Sequence, residues 1–108
     1  MANGYDLDCP IARALDVVGE RWAPLILRDL FRKGPLRFAD LQASLRGIAP
    51  NTLSARLKAL EAAGVVASRL YVSHPPRAEY YLTEKGRALG PVLKALHDWG
   101  EAYASPEG

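Results

Sequence analysis

Read as a helix, the segment from about Asn51 to Ala63 separates its residues into two faces of different chemistry. At 3.6 residues per turn, Leu53, Leu57 and Leu60 share one side and face a core. Asn51, Ala55, Lys58 and Ala62 point the other way, with Thr52, Ser54 and Ala59 on the flanks. The outward set combines an amide, two hydroxyls, small side chains and one cation. An asparagine can pair with both N6 and N7 of adenine in the major groove, and hydroxyls can bond base edges or phosphates. Ala55 can touch a thymine methyl and lets a helix approach the groove closely. Lys58 suits a phosphate. This combination suits the edges and phosphates of duplex DNA. Asn51 or Thr52 could alternatively cap the start of the helix. Arg56 lies nearer the core side, so it reads first as a structural residue bonded to a carboxylate such as Asp40 and second as a DNA contact.

A second cationic feature follows. Ser73-His74-Pro75-Pro76-Arg77 forms a stiff tip between two segments of strand character. Arg77 could enter a minor groove or pair with a phosphate. His74 sits beside it, either as a DNA contact or as an ordinary surface residue. Charge along the chain agrees with this placement. The formal net charge is only +2, yet residues 46–77 carry Arg46, Arg56, Lys58, Arg69 and Arg77 against Glu61 alone. A local net of +4 attracts polyanions where the total does not.

Other chemistries find little support. There is one cysteine, Cys9, so no intramolecular disulfide forms, and with only His74 and His97 beside it a zinc cluster is not expected. No glycine-rich phosphate loop, His-Glu metal motif or Ser/His/Asp grouping is evident, so neither an enzyme nor a cofactor is expected. The apolar runs are short and interrupted by charge, and the first residues lack a signal-peptide pattern, which makes the cytoplasm, at the nucleoid, the expected location without membrane association. A winged domain used only for protein contact is disfavoured, because the outward face of the 51–63 helix lacks aromatic anchors.

The elements that must hold these residues follow from periodicity. With 108 residues and 49% hydrophobic content, the chain suits one domain with one core. Ile11, Ala14, Leu15 and Val18 predict a first helix beginning at Asp8 or Cys9 with Pro10 and ending at Gly19. A second begins near Trp22, lined by Trp22, Leu25, Ile26 and Leu30, and stops at Gly34-Pro35. Phe38, Leu41 and Leu45 mark a short third helix, and Gly47 separates it from the 51–63 helix, which Gly64 closes. Helix, short turn and helix make a helix-turn-helix. Val65 to Val72 and Ala78 to Leu82 form the strands of a hairpin, the layout of a winged domain. Thr83 caps a final helix carrying Leu89, Val92, Leu93, Leu96, Trp99 and Tyr103. That stripe is long for so small a domain and suits burial on a partner or on its own core.

These segments together closely resemble the HxlR family of bacterial winged-helix regulators. The resemblance rests on Cys9-Pro10, Gly19-Glu20-Arg21-Trp22, Leu25 to Leu30, Arg37 to Leu41 and Leu53 to Glu61. It continues through Pro75-Pro76-Arg77-Ala78-Glu79-Tyr80, Leu82-Thr83 and Gly86, covering about residues 8–103. It implies an α+β, mostly α fold: a single winged helix-turn-helix domain over 8–103 with N- and C-terminal dimerisation helices. It implies a homodimer joined through Ile11, Leu15 and the stripe from Leu89 to Tyr103. Two recognition helices would enter successive major grooves of a pseudo-palindromic operator, about 34 Å apart. Family members act as repressors or activators. Arg37 joins Asn51, Thr52, Ser54, Ala55, Arg56, Lys58, His74 and Arg77 as a DNA-contact candidate. One departure is Pro50 directly before Asn51, which stiffens the helix start and removes a backbone donor.

The resemblance also bears on Cys9. Redox- and electrophile-sensing members carry their reactive cysteine at the matching position, so an oxidant or small-molecule effector is conceivable here. A helix start favours thiolate, as does Arg13 one turn on, whereas Asp6 and Asp8 act in the opposite direction. A structural thiol is the alternative.

Overall fold

The computed structural model describes residues 9–106; the expectations that involve Asp6 and Asp8 lie outside this range. The first helix, α1 (Pro10–Val18), starts where the sequence places it. Cys9 is the N-cap, and its Sγ accepts the backbone N–H of Ala12 at 3.4 Å. Pro10 occupies the first turn, where its missing N–H costs no helical bond. No residue of α1 is buried, and only Val17 and Val18 reach the core.

The second helix, α2 (Trp22–Lys33), is the centre of the molecule. Ala23, Ile26, Leu27 and Leu30 are all buried. Trp22 and Leu25 pack only partly against this core, so its buried face is centred on Ile26 and Leu27, not on Trp22. Gly34 ends the helix at φ 82°, a conformation that disfavours side chains with a Cβ.

Directly after it lies a strand that periodicity does not reveal, β1 (Leu36–Arg37). Two residues are too few for an alternation signal, and the strand exists only through pairing with β3 (Pro76–Leu82), Leu36 opposite Tyr80 and Arg37 opposite Glu79. With β2 (Val66–Ser73) the wing is therefore a three-stranded antiparallel sheet in the order β1-β3-β2, not a bare hairpin.

Between these strands run α3 (Phe38–Ser44) and α4 (Pro50–Ala62). Gly47 at φ 89° turns the chain, and Leu41, Leu45 and Ile48 bury beneath the turn. The start of α4 corrects one expectation. Ala49 is the N-cap, with no side-chain cap, and Pro50 is the first helical residue. Pro50 is already shaped for a helix, so the helix begins one residue early. Asn51 and Thr52 thereby fall inside its first turn and neither caps it. At the other end Gly64 (φ 80°) follows the C-cap Ala63. Gly64 N–H bonds Glu61 O at 3.0 Å and Val65 N–H bonds Leu60 O at 3.1 Å. This is a Schellman closure, completed by burial of Leu60 and Val65 together.

The C-terminal helix also differs from expectation, being two helices. Thr83 caps α5 (Glu84–Arg87), accepting Gly86 N–H at 3.0 Å. A second helix, α6 (Gly90–Tyr103), then starts afresh with Pro91 in its first turn. Pro91 has no N–H to offer the carbonyl of Arg87, so the helical ladder cannot run through. Gly86 sits where a Cβ would overlap the carbonyl oxygen of Val65. That close approach fastens α5 onto the junction of α4 and β2. Thr83 Oγ1 donates to Gly64 O at 2.6 Å and Lys85 Nζ to Ala63 O at 2.8 Å.

Candidate nucleic-acid interface

The core side of α4 is closed. Leu53, Leu57 and Leu60 are at most 1% exposed and hold the helix against α2 and the rest of the core. Its opposite side is open. Asn51, Ala55, Lys58 and Ala59 are exposed, and Thr52 and Ser54 are half-buried at the flanks. The three leucines therefore determine which residues point outward.

Arg56 lies at the edge of α4 and its partner is not Asp40. Its Nη1 is 4.0 Å from Glu20 Oε1, just before α2. Arg56 Nε is buried without a hydrogen-bond partner among the described residues. The same Glu20 carboxylate accepts Trp22 N–H at 3.0 Å and Ala23 N–H, so it also caps α2. Asp40 is taken instead by Arg37. Arg37 N–H donates to Asp40 Oδ2 at 3.1 Å and Arg37 Nε to the same oxygen at 3.2 Å, so the Asp40 carboxylate closes the first turn of α3 and pairs with the guanidinium. The hydrogen bond from the Arg37 guanidinium holds the Asp40 carboxyl below its ordinary range. In return Asp40 raises the Arg37 pKa, with the Tyr71 hydroxyl adding to it. Arg37 is exposed despite this pairing and keeps donors free.

Position along the chain placed Arg69 within the basic block, but the fold neutralises it. Its Nε is 2.8 Å from Glu79 Oε2 and its guanidinium lies 4.9 Å from the centre of the Tyr81 ring. Arg46, Lys58 and Arg77 are exposed with no acidic partner among the described residues. His74 is exposed at the hairpin tip. Between the wing and the start of α3 an open groove of about 340 Å³ is lined by Arg37, Phe38, Tyr71, Pro76 and Arg77.

The remaining site residues divide between two surfaces. Cys9 is an exposed free thiol. Ile11 and Leu15 on α1 and Val92, Leu96, Trp99 and Tyr103 on α6 are exposed apolar side chains, and the Trp99 and Tyr103 rings meet at a tilt of 44° with centres 5.5 Å apart. Leu89 and Leu93 differ from the rest of their stripe: both pack on this chain's own core. Sequence reasoning missed Glu20 as the partner of Arg56. Its only signal was a carboxylate two residues before a helix start, which reads as a local cap.

A buried-leucine helix held by α2 and α3, followed by a β-hairpin, is the architecture of winged helix-turn-helix transcriptional regulators. The chain belongs to the HxlR family: the model of the HxlR-like helix-turn-helix matches residues 17–108. An uncharacterised HTH-type transcriptional regulator of Synechocystis is 40% identical over 92% of this chain and 73% of its own length. Among solved structures, the redox regulator HypR in its reduced form matches with a TM-score of 0.82 at 34% identity, over 87% of this chain and 92% of that one. The reduced transcriptional regulator YodB from B. subtilis matches with a TM-score of 0.77 at 33% identity, over 93% of this chain and 98% of that one. Oxidised HypR and diamide-treated YodB are similar as well, with TM-scores of 0.83 and 0.73. The protein is thus a helix-turn-helix transcriptional regulator. No helix among the described residues is long and apolar enough to cross a membrane.

Proposed function

We propose that residues 8–103 act as one DNA-binding domain, which as a homodimer recognises a pseudo-palindromic operator in the cytoplasm. The observation that carries this reading is the two-sided character of α4, with three buried leucines opposite an exposed Asn51, Ala55 and Lys58. In this reading Asn51, Thr52, Ser54 and Ala55 contact base edges in the major groove. Lys58, Arg37, His74 and Arg77 grip the backbone and are blind to sequence. Arg56 orients α4 through Glu20. Exposed apolar residues of α1 and α6 join the two subunits, which sets two recognition helices about one turn of DNA apart.

Cys9 gives this function an oxidant input. Its thiol is exposed at the start of α1, the helix that also presents Ile11 and Leu15 for dimer formation. Oxidation to an intersubunit or mixed disulfide would alter that helix and with it the spacing of the two recognition helices. The similarity to redox regulator HypR supports this reading.

The test is selection of bound duplexes from a random-sequence pool, followed by titration of the winner against salt. Two inverted half-sites are expected. Lys58→Ala and Arg77→Ala should weaken binding at every sequence, and Asn51→Ala should relax preference at one base pair per half-site by about 1–3 kcal/mol. Enrichment of no duplex at low salt would sink the proposal.

A further inference from the structure

The groove between the wing and α3 is where two of the proposed backbone contacts come together. Arg37 and Arg77 are 40 residues apart in sequence, yet both line it. What closes the groove on the wing side is Tyr71. Pairing of β2 with β3 is irregular there: Leu70 faces Ala78 and Val72 faces Arg77, leaving Tyr71 as an extra residue. A bulge of this kind bends the strand locally and increases its twist. Tyr71 is 42% exposed and lies two residues on from Arg69, whose cross-strand row is Glu79 and Arg37, so the sheet's alternation places it on the Arg37 face, where it lines the groove.

Three polar groups consequently converge on one open space. Arg37 has its Nε committed to Asp40 Oδ2 and an Nη2 contact to Asp40 Oδ1 at 3.3 Å, but a guanidinium carries five N–H donors. Asp40 thereby orients Arg37 without exhausting it. Tyr71 contributes a hydroxyl that can donate, and Arg77 a second cation with no acidic partner among the described residues. Phe38 and Pro76 supply the apolar walls. Two cations and a hydroxyl around a shallow, open groove suit a singly charged tetrahedral oxyanion held at the surface of a larger body.

We propose that Arg37, Tyr71 and Arg77 form a clamp for one DNA backbone phosphate, with Tyr71 a DNA-contacting residue. The clamp rests on the reading of the chain as a duplex-binding regulator. It joins the helix-turn-helix to the wing through a single phosphate, so the angle between wing and recognition helix is fixed on the DNA by this contact. Tyr71 acts without charge and sets position, while Arg77 supplies the electrostatic share.

The experiment uses the full chain and a fluorescent duplex taken from the random-pool selection. Binding is titrated against salt for wild type, Tyr71→Phe and Arg77→Ala, and thermal melts show that each variant is folded. Tyr71→Phe removes one oxygen and is expected to weaken binding about 3- to 10-fold, the effect of one hydrogen bond, with an unchanged salt slope. Arg77→Ala is expected to reduce the slope by about one per chain. The duplex is then rebuilt with single neutral methylphosphonates. One position per half-site should weaken wild type but have little further effect on Arg77→Ala. A wild type that binds while Tyr71→Phe binds equally well overturns the clamp and leaves the regulator reading standing. A wild type that binds no duplex overturns both.

Discussion

Arg56 and Glu20 face each other where α4 crosses the start of α2, with Arg56 Nη1 4.0 Å from Glu20 Oε1. Two jobs meet in that carboxylate. It closes the first turn of α2 by accepting Trp22 and Ala23 N–H, and it is the counter-charge for a guanidinium on α4. The orientation of the proposed recognition helix is therefore linked to the helix at the centre of the core. Glu20→Ala removes both roles. It should cost about 1–2 kcal/mol of stability, the range of a lost cap, measured by denaturant unfolding. DNA affinity should fall as well, though residue 20 is not a proposed DNA contact. A variant with unchanged stability would show that the cap and the pair contribute nothing.

Gly86 is required by contact, not by backbone conformation. A Cβ there would overlap Val65 O, an atom that already accepts Thr83 N–H at 3.2 Å. Gly86→Ala must push α5 away from the α4–β2 junction, at a cost of about 1–3 kcal/mol. The control is Gly100→Ala, where nothing lies within 4 Å of the added carbon. Thermal unfolding of the two variants should separate them clearly.

The exposed stripe on α6 predicts oligomeric state. Leu96→Glu places a charge among Val92, Trp99 and Tyr103, side chains that a soluble monomer would leave in water. Sedimentation at micromolar concentration should give a dimer for wild type and a monomer for the variant. Leu93→Glu should instead destabilise the fold itself, because Leu93 packs on its own core.

Cys9 is tested by comparison with Cys9→Ser. Diamide should lower the DNA affinity of wild type by about 5- to 150-fold, the usual span of coupling between two sites, and leave the serine variant unaffected. Intact-mass measurement distinguishes an intersubunit disulfide from a mixed one. Equal responses in both proteins would remove the sensing role.

What the amino-acid order determined by itself is the order of the first four helices and the wing hairpin, and the two faces of α4. Those are local matters: leucines at 53, 57 and 60 recur at the helical period, and Gly47 and Gly64 interrupt that period at the turns. The boundaries of α1 and α4 shift by no more than a residue for the same reason. The tertiary structure decided whatever depends on residues distant in sequence. Strand β1 exists because Leu36 and Arg37 find Tyr80 and Glu79, and two residues alone carry no periodic signal. The final helix breaks at Ala88-Leu89, just before Pro91, whose missing N–H prevents the ladder from running through. Charge was the most misleading guide. A basic block counted along the chain includes Arg69 and Arg56, which acidic residues outside it neutralise or hold in place. Arg37 and Tyr71 come to one groove only because β1, β3 and β2 pair into one sheet, whose register puts both on the same face.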